Sequence, residues 1–87
     1  MDPDQIAHAL RDILENVAPD ADVSKVPPNV RLREALDLDS MDFLDIVMEF
    51  RERFGVDVKE PDYPRLATLE SAVAYLASRL GDRPQAG

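Results

Sequence analysis

Three stretches of the chain space their apolar residues as helix faces. Ile6, Leu10, Ile13, Leu14 and Val17 recur at i, i+4, i+7, i+8 and i+11, a single stripe for burial. Asp2-Pro3-Asp4-Gln5 opens that stretch with an N-cap acid, a proline at the first helical position and a glutamine that closes a capping box, predicting a helix to about Asn16. Phe43, Ile46, Val47, Phe50 and Phe54 form a second stripe within residues 41–54, a run without Gly or Pro that Asp39 and Asp42 cap and Gly55 stops. Thr68 caps a third helix, with Leu69, Ala72, Val73, Leu76 and Leu80 facing inward, Tyr75 and Ala77 near the edge of the stripe, and Gly81 at its end.

The segments between are less regular. Residues 18–36 make a long connection with Pro19, Pro27 and Pro28, pinned by Val23, Val26, Val30, Leu32 and Leu36. Leu36 and Leu38 are placed beneath the turn that leads into the second helix. Gly55-Val56-Asp57-Val58 alternates like a strand but has no partner to pair with, so it reads as an extended connector. Residues 59–65 contain Pro61 and Pro64 and allow at most one helical turn, where Tyr63 reads as core filler rather than a lid. The expected fold is all-α, a bundle of three main helices plus one short helix with a long first loop, in a single domain over residues 1–81. Residues 82–87 read as a disordered tail.

The second helix carries a feature the fold does not require. Met41, Leu44 and Met48 recur at i, i+3 and i+7 on the side opposite the buried stripe, with Asp42, Asp45, Glu49 and Glu52 on or beside them. A helix buried on one face is expected to be polar on the other. An exposed apolar stripe bordered by carboxylates marks a docking surface, against the plain alternative of scattered exposed apolar residues.

Composition narrows the function. Eighty-seven residues, 45% of them hydrophobic, suit one small core. There is no cysteine, so the chain has no disulfide and no thiol of its own. The net charge of -8 lacks the basic footprint that nucleic acid demands and points to partners with basic patches. No apolar run reaches the roughly 18 residues of a membrane span, and the acidic start is unlike a signal peptide, so a cytoplasmic protein is expected. The one histidine, His8, falls off the buried face and reads as plain surface. The acids around Ser40 do not form a calcium loop, because Asp42 and Met48 stand where such a loop needs glycine and a bidentate glutamate. No metal site is expected.

At Asp39-Ser40-Met41, followed by Asp42-Phe43-Leu44-Asp45-Ile46-Val47-Met48-Glu49-Phe50 and Arg53-Phe54-Gly55-Val56, the sequence resembles an acyl carrier protein of the free-standing bacterial type II kind, and the likeness runs from Ile6 to Leu80. The resemblance implies that Ser40 carries a covalent 4'-phosphopantetheine arm taken from coenzyme A, and that Asp39 helps the attaching enzyme position its metal. It implies a carrier and not an enzyme, one that delivers acyl thioesters in fatty acid, lipid or polyketide synthesis. Its partners would be a phosphopantetheinyl transferase and ketosynthases, acyltransferases or acyl-activating enzymes, met by Met41, Asp42, Leu44, Asp45, Met48, Glu49 and Glu52. An acyl pocket would open among Phe43, Ile46, Val47, Phe50, Leu66 and Leu69, and the protein would be a monomer. A peptidyl or aminoacyl carrier and an unmodified acidic interaction module are the alternatives. Two departures stand out: Asp37 replaces a common glycine, so the loop must turn there without a freely available positive φ, and Arg51 and Arg53 stand where members tend to be acidic.

Overall fold

The computed structural model describes residues 2–81. Helix α1, Pro3–Val17, starts on the predicted box: the Gln5 N–H donates to Asp2 Oδ1 (2.9 Å) and the Asp2 N–H donates back to Gln5 Oε1 (3.0 Å). Ile6, Leu10, Ile13 and Leu14 are buried along it. Across the long connection that follows, α2 spans Leu32–Ala35; α3 is Ser40–Phe54 and α4 Leu69–Gly81. Helix α3 ends at Gly55, whose left-handed φ of 67° closes the last turn at no steric cost. Helix α4 starts on a reciprocal pair in which the Ser71 N–H donates to Thr68 Oγ1 (3.0 Å) and the Thr68 N–H to Ser71 Oγ (3.2 Å). Thr68 was expected as that cap; Ser71, its partner, was not.

The connections are more ordered than the sequence indicates. The first contains a 3₁₀ turn at Val23–Lys25 and then α2, and residues 60–66 form a second 3₁₀ segment, Glu60–Leu66, longer than the single turn expected. The reason is local: 3₁₀ bonds run i to i+3, so Pro61 near the segment's start and Pro64 within it remove few donors. The Arg11 guanidinium donates to the Val23 carbonyl (2.7 Å) and ties the first turn to α1. The Leu32 N–H donates to the Ala67 carbonyl (2.8 Å) and the Glu70 N–H to the Pro28 carbonyl (2.9 Å), around an antiparallel bridge between Arg31 and Thr68. These bonds fasten the long connection to the start of α4 and hold α2 beside the second 3₁₀ segment.

One apolar cluster runs through all of these elements. Val56 and Val58 are buried while Asp57 faces out, as the extended connector requires, and Lys59 Nζ pairs with Asp57 Oδ2 (2.6 Å). That pair, through its hydrogen bond and charge, holds the Asp57 carboxyl below its usual range. Tyr75 departs from expectation: it is 1% exposed and among the largest fully buried side chains, not an edge residue. Its hydroxyl donates to Asp62 Oδ2 (3.0 Å), which removes the usual penalty for burying a phenol, and the Arg65 and Arg79 guanidiniums lie 5.2 and 5.1 Å from its ring centroid. Phe43, Val47, Val73 and Leu80, expected in the core, are half-buried and pack against it.

Candidate functional site

The turn into α3 is built from two buried leucines and one unusual backbone position. Leu36 and Leu38 anchor it in the core, with the Leu38 N–H donating to the Arg33 carbonyl (3.0 Å). Asp37 between them takes a φ of 53°. The loop does turn without glycine, as expected, but it takes a positive φ to do so: the left-handed position is occupied by aspartate, one of the few side chains that tolerate it. Asp39 then caps α3, accepting from the Asp42 N–H (2.8 Å), while the Asp39 N–H donates to Asp42 Oδ2 (3.2 Å). Ser40, the first helical residue, is exposed. A serine at a helix start usually caps, but Asp39 fills that role, and the Ser40 hydroxyl has no hydrogen-bond partner among the described residues.

Beside Ser40 opens a cavity of about 640 Å³ lined by Arg31, Arg33, Ser40, Phe43, Leu44, Tyr63, Pro64 and Ala67. The Phe43 and Tyr63 rings meet edge to face, centroids 5.2 Å apart. Tyr63 is half-buried on this wall, so it lines an opening instead of only filling the core. Of the six residues expected to make an acyl pocket, Phe43 alone is on the lining. Ile46, Phe50, Leu66 and Leu69 lie in the closed core, and Val47 is half-buried against it. Sequence periodicity finds inward-facing residues, whereas this opening is walled by loop and 3₁₀ residues that periodicity does not reach. Arg31, Arg33, Pro64 and Ala67 were not anticipated; the only available signal was two arginines close together in a strongly acidic chain.

The outer face of α3 is as expected in its apolar part. Met41, Leu44 and Met48 are 75%, 46% and 59% exposed, the large hydrophobic residues most open to solvent among those described. The stripe divides, though: Leu44 belongs to the wall of the cavity, while Met48 borders a shallow groove with Asn16, Val17, Asp45, Glu49 and Glu52. The acids are not equally available. Asp42 is engaged in the helix cap, and Glu49 pairs with Arg53 one turn on (2.8 Å). Asp45 and Glu52 are exposed and unpaired among the described residues.

The family model for the phosphopantetheine attachment site matches residues 4–76, a span that contains Ser40. The acyl carrier protein of Rubrobacter xylanophilus is 32% identical over 76 residues, which cover 87% of this chain and 93% of that protein. That of Thermotoga maritima is 37% identical over 60 residues, covering 69% and 74%. The chain belongs to the acyl carrier protein family. The fold agrees: the solved structure of the acyl carrier protein from Enterococcus faecalis matches with a TM-score of 0.74 at 23% identity, over 90% of this chain and 98% of that one.

Acyl carrier proteins hold acyl groups on a phosphopantetheine arm, and the surroundings of Ser40 are compatible with one. An exposed hydroxyl with no competing bond among the described residues opens onto a mainly apolar cavity whose lining includes the exposed Arg31 and Arg33. The α3 N-terminus adds unpaired N–H groups and the positive end of a helix dipole. No helix among the described residues is long and apolar enough to cross a membrane.

Proposed function

We propose that Ser40 bears the 4'-phosphopantetheine arm and that the chain acts as a carrier, not a catalyst, delivering acyl groups to synthase enzymes in the cytoplasm as a monomer. The observation that carries this reading is the Ser40 hydroxyl: exposed, at the first position of α3, and relieved of capping by Asp39. When bound, the arm supplies a thiol, absent from the chain itself, that holds the acyl group as a thioester.

Attachment is a displacement at phosphorus. Ser40 Oγ attacks the coenzyme A pyrophosphate, the new O–P bond forms as the P–O–P bridge breaks, and adenosine 3',5'-bisphosphate leaves. The hydroxyl proton needs a base, and no side chain among the described residues bonds Ser40, so a transferase supplies it. Asp39 directly precedes Ser40 in the chain and, by its charge, suits a role beside the transferase's metal. Met41 and Met48 supply the apolar part of the contact with partner enzymes, and Asp45 and Glu52 supply charges for their basic patches.

The test is Ser40→Ala. The side chain makes no bond to lose among the described residues, so stability should stay within about 0.5 kcal/mol of the parent, the helical circular dichroism should be unchanged, and acyl transfer should be abolished. A variant that still accepts acyl groups would overturn the assignment, and an active variant without any acyl transfer in the parent would favour an unmodified interaction module.

A further inference from the structure

The positive side chains of the described residues are nearly all engaged. Arg11 holds the Val23 carbonyl; Lys25, Arg53, Lys59 and Arg79 pair with carboxylates. Arg65 lies over the Tyr75 ring and Arg51 acts on Asp57. Arg31 and Arg33 remain, with no side-chain partner among the described residues, in a chain of net charge -8. Both line the cavity that Ser40 lines, whereas Asp37 and Asp42 line a separate depression with the end of α1. Of the charges about the serine, Asp37 and Asp42 lie toward α1 and Arg31 and Arg33 toward the second 3₁₀ segment, while Asp39 is taken up in the α3 cap.

We infer that Arg31 and Arg33 hold the phosphodiester of the arm on the cavity side of α3, with the gem-dimethyl carbons next to it against Phe43, Leu44 and Tyr63. The inference rests on the reading that Ser40 bears the arm. Phosphate is the anion the tether brings nearest to this rim, and guanidiniums match its oxygens in a bidentate fork. The acids on the other side repel it. An exposed pairing of this kind favours one orientation by roughly two- to five-fold and weakens as the Debye length falls below about 8 Å. The consequence is a bias of the arm away from Met41 and Met48, which leaves them more often clear for a partner.

The experiment compares the parent with the double variants Arg31→Gln/Arg33→Gln and Arg31→Lys/Arg33→Lys, each loaded with the unacylated arm, at low and high salt. Intact mass first confirms loading, and circular dichroism the fold. Between apo and loaded forms of the parent, amide shifts should appear at Arg31, Leu32, Arg33, Phe43, Leu44, Tyr63 and Ala67, with slowed motion in the phosphorus signal. Glutamine should cut these shifts at least twofold, high salt should do likewise, and lysine should retain part of them. Because the arm carries no cargo, a carboxylate on an acyl group cannot produce the response. Shifts confined to residues 39–41 and indifferent to both variants overturn the inference alone. A parent that takes no arm overturns the carrier reading, and this inference with it.

Discussion

Asp37 shows how one backbone position can be legible in kind and hidden in detail. The sequence shows a non-glycine where a turn is needed, yet whether the chain avoids or accepts a positive φ is decided by where Leu36 and Leu38 must be buried. The left-handed region costs a residue with a Cβ roughly 1–2 kcal/mol, least for Asp and Asn and most for β-branched side chains. Asp37→Gly should therefore leave thermal stability equal or higher, and Asp37→Val should lower it by about 1–2 kcal/mol, or several degrees in Tm; equal melting of the two variants would refute a strained turn. Helix spacing puts Tyr75 at an edge because its partner, Asp62, lies on a different element that spacing does not reach. Burial, then the hydrogen bond to Asp62, raise the Tyr75 pKa against the opposing Arg79 charge. The raised folded pKa means this stability is present below about pH 10 and lost as pH climbs past it. A spectrophotometric titration should find Tyr75 ionising late, and Tyr75→Phe should remove that step and flatten the alkaline loss of stability.

At the scale of elements, helix ends were the readable part. Asp2 with Gln5, Asp39 with Asp42, Thr68 and Gly55 all act as their chemistry predicts. Short elements were not readable: α2 has four residues, too few for a period, and exists because Leu32 and Leu36 are buried and Ala67 receives a backbone bond. The cavity shares that obscurity, being made where α2, α3 and the second 3₁₀ segment meet. Two outcomes belong at this scale. Asp39→Ala removes an accepted N–H at the α3 start and should cost about 1 kcal/mol in denaturant unfolding, whereas the double variant Met41→Ser/Met48→Ser, at exposed positions, should unfold like the parent. If Met41 and Met48 form the docking face, the latter variant should nonetheless bind partner enzymes more weakly by surface plasmon resonance; undiminished affinity would remove them from the interface.

Over the whole molecule, the bundle and its acidity were legible because both are sums over many residues. A single apolar cluster joins α1, α3 and α4, and the charge of -8 follows from counting. Association with a basic partner should slow steeply as salt rises, mainly in the on-rate, and Asp45→Lys/Glu52→Lys should flatten that dependence. The central claim, that Ser40 is the attachment point, is tested most directly by intact-mass and peptide-fragment analysis of the chain incubated with coenzyme A, magnesium and a permissive phosphopantetheinyl transferase. The account predicts a gain of one phosphopantetheine, localised to Ser40 and missing from Ser40→Ala. A gain on another residue, or none with several transferases, would contradict it.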